Sequence, residues 1–230
     1  MTFNKDARFC SVPLDSPIKV VIRGERALFS RPEMTVERQS YEVPTISAMQ
    51  GVLRAVFNHD GMDYEIDNIY VCRKIQFDSM VRNETKVVQD VKDPKPYLLV
   101  GEERTQRSSS FLTNVQYVVG AHIVAKPNQV SPKPHSLAEF YTMFNRRLAS
   151  GGYRHVPCLG QQEFSCTVKP YLEPYVKSVY CGKKVSLGIM YQKKVIKENG
   201  DVVPLFADTK IVDGRVIYGD FFVPYMEESK

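Results

Sequence analysis

The sequence predicts an α+β fold on three observations. Two stretches, Ile46 to Phe57 and Leu137 to Leu148, repeat apolar residues at helical spacing. Strand-like runs flank them, so residues 1–165 read strand, helix, strand, insertion, strand, helix, strand. Beyond residue 170, the dipeptides Asn199-Gly200 and Asp213-Gly214 separate further strand-like runs, as primed hairpin turns do. This order suits a split-βαβ, ferredoxin-like (RRM-like) domain with an inserted thumb hairpin, followed by a small antiparallel β-sheet domain. The expected bounds are 1–170 for the first domain, with the thumb at about 78–110, and 171–230 for a C-terminal antiparallel β meander.

Each element has its own signal. Residues 1–17 read as a loosely tied lead-in. Val20-Val21-Ile22 is a β-branched run that favours a pleated, half-buried surface, and Gly24-Glu25-Arg26 reads as a break after it. A charged loop, Ser30 to Ser40, leads to Thr45, whose hydroxyl suits the exposed amides of a helix start. Ile46, Met49, Val52, Leu53, Val56 and Phe57 then form one apolar face, and Gly61 supplies a left-handed residue in the turn that ends the helix. Tyr64 to Phe77 is strand-like, and Asp78 to Ser110 is charged, carries Pro94 and Pro96, and shows no sustained apolar period.

From Val115 to Val124 the alternation is clean, with Val115, Tyr117, Val119, Ala121 and Ile123 on one face and His122 on the other. Ser136 and Glu139 form an S-x-x-E capping box for the second helix, which Gly151-Gly152 ends. In the tail, Tyr171, Tyr175 and Tyr180 alternate with lysines; a half-exposed strand explains that pattern better than a stacking surface for RNA does.

Composition sets bounds on function. The chain has 230 residues, 43% of them hydrophobic, enough for a sizeable core. Thirty-one basic against 26 acidic residues give +5, which permits a nucleic-acid partner without demanding one. The five cysteines form no C-x-x-C pair and the four histidines lack ligand spacing, so reduced, mostly buried thiols are expected, with no metal and no cofactor. No leader-like h-region or membrane-length apolar run occurs, and a cytoplasmic protein is expected. Phosphate-binding, dinucleotide, zinc-protease and serine-hydrolase motifs are absent.

One block is more specific. RPEMTVERQSYEVPT (31–45) followed by GVLRAVF (51–57) resembles the opening of the CRISPR-associated Cas-five family, subtype I-C (d-type) branch, within the repeat-associated (RAMP) superfamily. The resemblance continues through Arg82-Asn83-Glu84, Gln106-Arg107, Asn114 to Tyr117 and Ala121-His122. It goes on through Pro157 to Gly160, Glu163-Phe164 and Leu187 to Met190, so it covers most of the chain in order.

The resemblance implies a protein that binds the 5′ handle of CRISPR RNA in a prokaryotic surveillance complex (Cascade), beside its backbone and large subunits. It further implies metal-independent cutting of precursor repeat RNA by attack of the substrate's own 2′-hydroxyl on the adjacent phosphate. Such a cut needs a base, an acid and a cation for the developing phosphorane. In the family, an aromatic hydroxyl or imidazole at the end of the first helix and a Lys-His pair opening the second take these roles. Here the matching positions read Phe57, Glu139 and Phe140, none of which can serve. His59, two residues beyond Phe57, and Lys133-Pro134-His135, just before the second helix, are the candidate replacements. His135, Lys133 and His59 are therefore the catalytic candidates. The RNA-binding candidates are Arg31, Arg38, Arg82, Arg104, Arg107 and Arg154, with Gly160 in a loop where missing side chains permit close approach to a backbone. The alternative is an inactive handle-capping subunit whose RNA is cut by another nuclease. A third reading, an RNA-binding protein of the same fold outside CRISPR, is disfavoured by the length of the loop block.

Overall fold

The computed structural model describes residues 7–34, 36–85, 104–126, 135–196 and 201–223. Its centre is β6 (Arg104–Ala125), a strand of 22 residues. Strand β2 (Ile18–Ala27) runs antiparallel to it on one side and β4 (Met62–Val71) on the other. Short β7 (Thr167–Pro170) pairs with the outer edge of β2, giving the local order β7-β2-β6-β4. The N-terminal half of β6 pairs with β5 (Phe77–Thr85) through nine residue pairs and with the two-residue β3 (Arg38–Gln39) in parallel.

The order continues beyond β4 with β11 (Arg215–Tyr218), β10 (Val202–Val212) and β9 (Lys184–Ile196). Strands β9 to β11 form an antiparallel meander whose last turn holds Asp213 at φ 51° and Gly214 at φ 77°, as a type I′ turn requires. The other turn dipeptide, Asn199-Gly200, lies outside the described residues. The meander meets β4 at Arg215↔Tyr70, so the sheet runs across the boundary expected at residue 170.

Helix α1 (Ile46–Val56) begins where Thr45 accepts a bond from the Ala48 amide at 3.2 Å. It buries Met49, Val52, Leu53 and Val56 against the sheet. Helix α2 (Leu137–Ser150) begins on the capping box: Ser136 Oγ accepts from Glu139 N at 3.3 Å, and Glu139 Oε2 accepts from Ser136 N at 2.7 Å. Phe140, Phe144 and Leu148 face the core, and Gly151 closes the helix at φ 69°. Val20, Ile22, Ile69, Val119, both helix faces, Met190, Ile211 and Val216 share one core cluster.

The opposite sheet face is covered too. Strand β1 (Arg8–Pro13) pairs with β8 (Tyr175–Ser178), and this ribbon packs Cys10, Leu14 and Val176 on Val21, Tyr70 and Val118.

Several expectations need correction. Of the stretch read as a loose lead-in, the described residues 7–17 are tied down, because β1 is held by β8 and Cys10 is joined to Cys181 in a disulfide. That bond also revises the expectation of five reduced thiols. Cys72 and Cys166 are the buried free ones, and burial pushes each thiol up to about 12. Strand β2 runs through Gly24, where a break was expected, because Val115 and Thr113 of β6 keep pairing with it. Strand β4 stops at Val71 rather than Phe77, and Gly61 (φ 86°) sits in the turn before β4 rather than against the helix end. Among the described residues, no helix is long and apolar enough to cross a membrane.

Candidate functional site

Two sets of charged side chains emerge from this scaffold. The first lies where α1 ends and α2 begins. Phe57 caps α1 with its amide on the Leu53 carbonyl, and Tyr64 Oη donates to the Phe57 carbonyl at 2.7 Å. The chain then turns, bringing the His59 ring to 5.1 Å from that of His135, nearly perpendicular at 84°. Phe140 backs both imidazoles, at 5.4 Å from His59 and 5.8 Å from His135. His59 Nδ1 lies 2.6 Å from the Asp60 carbonyl, which can only accept, so the neutral ring holds its proton on Nδ1 and its lone pair on Nε2. His135 Nδ1 lies 3.6 Å from Glu139 Oε2. Hydrogen bonds from the Ser136 amide and hydroxyl, with the nearby His135, hold the Glu139 carboxyl below its ordinary range. Thus Glu139 is committed to the cap.

Two guanidinium groups border this pair. After α2 the chain returns to the end of α1, where the Arg154 and His155 amides donate to the Val56 and Ala55 carbonyls. Arg154 Nη1 then donates to the Asn58 carbonyl at 3.2 Å. Arg147 stands over the Phe57 ring at 5.7 Å and donates to the Gly152 carbonyl at 3.2 Å. The sequence reading missed Arg147, although its spacing of seven from Phe140 sets it on the same helix face. Lys133 lies outside the described residues.

The second set runs along the β5–β6 ribbon and the loop before β7. Glu84 lies 3.5 Å from both Arg38 and Arg107. Arg82 pairs with Glu163 and stands 5.7 Å from the Phe164 ring. Arg31 pairs with Glu42 at 3.1 Å and covers the Tyr41 ring at 4.7 Å. Exposed Arg104, at the start of β6, has no ion pair among the described residues. A cleft of about 780 Å³ opens between Arg23, Arg26 and Arg82, with Phe164, Ser165 and Thr167 in its wall. Arg23 and Arg26 were also missed, because they fall in the stretch read as a strand and a break.

Gly160 has a reason internal to the fold. At φ 90°, any Cβ there would lie 1.8 Å from the Leu28 carbonyl oxygen. His122, on the outer sheet face as expected, lies 2.7 Å from Asp67 and 3.3 Å from Glu65.

Chemically, the first set offers an imidazole lone pair and a second imidazole, with guanidinium groups held at the neighbouring Phe57 and Asn58. The second set offers partly neutralised cations beside aromatic rings. The first can move protons at a phosphodiester, and the second can follow a nucleic-acid backbone.

Comparison with known proteins adds identity to this geometry. The family model described as CRISPR-associated protein (Cas_Cas5) matches residues 18–203. The chain is similar to the CRISPR pre-crRNA endoribonuclease Cas5d of Thermus thermophilus, 41% identical over 153 residues. That match covers 66% of this chain and 63% of the Thermus protein, less than two thirds of its length. A protein described in the same words from Mannheimia succiniciproducens is 36% identical over 157 residues, covering 64% of this chain and 69% of its own. A crystal structure of a CRISPR-associated protein superposes with a TM-score of 0.67 at 22% identity, covering 88% of this chain and 91% of the other, a likeness of fold.

Proposed function

The chain belongs to the CRISPR-associated Cas5 family, in its d-type branch, and from that premise we propose that it binds the 5′ handle of CRISPR RNA and cuts precursor CRISPR RNA within the repeat. It does so as a subunit of a type I-C Cascade in a prokaryotic cytoplasm, beside the backbone and large subunits. The observation that carries the cutting is the His59–His135 pair, 5.1 Å apart between ring centres, with Arg154 on the adjoining Asn58 carbonyl.

In the proposed reaction, His59 Nε2 takes the proton of the 2′-hydroxyl and O2′ attacks the neighbouring phosphorus. The P–O5′ bond breaks and His135 gives its proton to the departing O5′. The products are a 2′,3′-cyclic phosphate and a 5′-hydroxyl, and the side chains named are enough for the step without a metal. Lys133 is proposed as a further cation. Handle binding is assigned to Arg31, Arg38, Arg82, Arg104 and Arg107 with the cleft beside them, and Arg154 holds RNA next to the histidines. Gly160 is proposed as an RNA contact only through the exposed backbone of its loop, since the Leu28 carbonyl fills the space its missing side chain leaves.

The order β7-β2-β6-β4 with α1 and α2 in the two crossovers supports a ferredoxin-like domain, and the β5–β6 ribbon supports the thumb. Division at 170 into this domain and a C-terminal meander is proposed on the placement of every RNA candidate before 170. A truncation after residue 170 that unfolds the whole chain would refute two folding units.

A specific observation favours a second reading, the inactive handle-capping subunit. Phe57 and Phe140 are 5% and 4% exposed in the core, and Glu139 is held in its capping box. Substrates decide between the two. Cutting that stops when the nucleotide 5′ of the break lacks its 2′-hydroxyl, and otherwise leaves a cyclic or 3′ phosphate, supports the nuclease. Tight handle binding without any cut supports the cap.

A further inference from the structure

The end of α1 is bracketed by two arginines whose charges have no carboxylate partner among the described residues. Arg154 is bonded to the Asn58 carbonyl, and the Arg147 guanidinium carbon stands 5.7 Å from the centre of the Phe57 ring. The next residue in this short segment is His59. Elsewhere on the same domain Arg31, Arg38, Arg54, Arg82 and Arg107 each have an aspartate or glutamate within 4 Å. Arg23, Arg26 and Arg104 have none among the described residues but lie away from the histidines in the sequence. A guanidinium attracted to an aromatic face still has N–H groups for a planar, bidentate anion, and losing its water strengthens that contact.

We propose that Arg147, with Phe57 as its platform, binds a phosphate of the RNA segment that lies at the His59–His135 pair, and so sets which phosphodiester the histidines meet. The inference rests on the nuclease reading for the cut but not for the contact. It also gives position 57 a use for an aromatic ring that can neither take nor give a proton. Arg147 Nη1 is already bonded to the Gly152 carbonyl at 3.2 Å, which fixes the fork and leaves four of its N–H groups to face a phosphate. The competing explanation is plain: a cation in the last turn of α2 complements the helix end.

The experiment has two arms. In the first, Arg147→Ala and Arg147→Lys proteins are compared with wild type in single-turnover cutting of the repeat RNA, with handle affinity and thermal midpoint measured alongside. Arg147→Ala is expected to cut ~10²-fold more slowly, with affinity for the repeat RNA weakened by only about fivefold. Arg147→Lys keeps the charge at the helix end but loses the fork, so it stays ~10-fold slow while matching the wild-type midpoint. In the second arm, uncleavable 2′-deoxy repeat RNAs each carry one neutral methylphosphonate. One position should weaken wild-type binding by about fivefold and leave Arg147→Ala binding unchanged. Wild-type RNA left uncut, with that position still found, would end the nuclease reading and leave the Arg147 contact standing. Equal methylphosphonate penalties in wild type and Arg147→Ala at every position would overturn the contact. An Arg147→Lys protein that cuts like wild type would assign Arg147 to the helix end.

Discussion

The arginines of the β5–β6 ribbon and those around the end of α1 differ in what faces them. Along the ribbon, Glu84 serves Arg107 and, from the adjoining β3, Arg38, and Glu163 serves Arg82, with Arg104 the unpaired exception among the described residues. Around α1, Arg147 and Arg154 face an aromatic ring and backbone carbonyls, next to two imidazoles. Cations already paired add little to a phosphate contact unless the glutamates swing away, so the ribbon suits a reversible, salt-sensitive grip. Cations without a carboxylate, beside groups able to move protons, suit a place where charge develops during a reaction. In the proposed function, one set holds RNA and the other acts on it, and the separation can be tested from either side.

The largest effect is expected at the histidines. His59→Ala or His135→Ala should slow cutting by ~10²-fold or more while handle affinity stays within about threefold, because a general acid or base acts in the transition state. Equal losses of cutting and binding would place these rings on the holding side. A smaller effect is expected on the ribbon. Neutralising about four handle phosphates gives a slope near −3 in log K against log salt, and Arg104→Ala with Arg107→Ala should flatten it. Affinity that ignores salt would remove the ribbon from the account.

Glu84→Gln sharpens the contrast, since it releases Arg38 and Arg107 together. Handle binding should tighten about threefold at low salt and hardly change at high salt, with cutting per bound RNA unaltered. Weaker binding would mean that Glu84 holds the two arginines in place for RNA.

The smallest effect concerns the support of the active end. Asp63 accepts from Arg54 at 2.9 and 2.8 Å and lies 3.0 Å from Lys126, joining α1, β4 and the end of β6. Desolvation raises its pKa, but the bonds from Arg54, the Tyr64 amide and Lys126 outweigh that and hold the carboxyl below its ordinary value. A depressed folded pKa contributes stability above the unfolded value of about 4, lost as pH falls through the folded one. Asp63→Asn should therefore cost about 1 kcal/mol at pH 7, after allowance for solvent screening, and that difference should vanish in acid. A cost unchanged at pH 2.5 would point to packing instead.

Much of this was legible in the sequence where periodicity or capping chemistry fixes local structure. Thr45, the Ser136–Glu139 box, Gly151, the inward face of β6 and the Asp213-Gly214 turn all stand as read. What could not be read depends on long-range pairing. Strand β1 finds β8 some 170 residues away, and the Cys10–Cys181 bond follows from that pairing rather than from any local spacing. The polar start of β6 reads as thumb because its neighbours β3 and β5 bond mainly its backbone, which leaves no apolar alternation. For the candidate site, His59 and His135 were named from sequence, but their meeting depends on how α2 packs on α1. Arg147 was missed, because a cation in the last turn of α2 carries no sequence signal of what it will face. Arg31, Arg38, Arg82 and Arg107 were named as RNA-contact candidates, and which glutamate each would meet depends on the fold.

The most direct measurement is single-turnover incubation of the purified protein with its own repeat RNA in EDTA, wild type beside a His59→Ala/His135→Ala double variant, with both ends of the products identified. The account predicts a single cut by wild type, a 2′,3′-cyclic or 3′ phosphate and a 5′-hydroxyl, and a double variant that holds the handle but cuts at least ~10²-fold more slowly. Wild type that binds the handle at nanomolar concentration and leaves the RNA whole, or a double variant that cuts as fast as wild type, would contradict it.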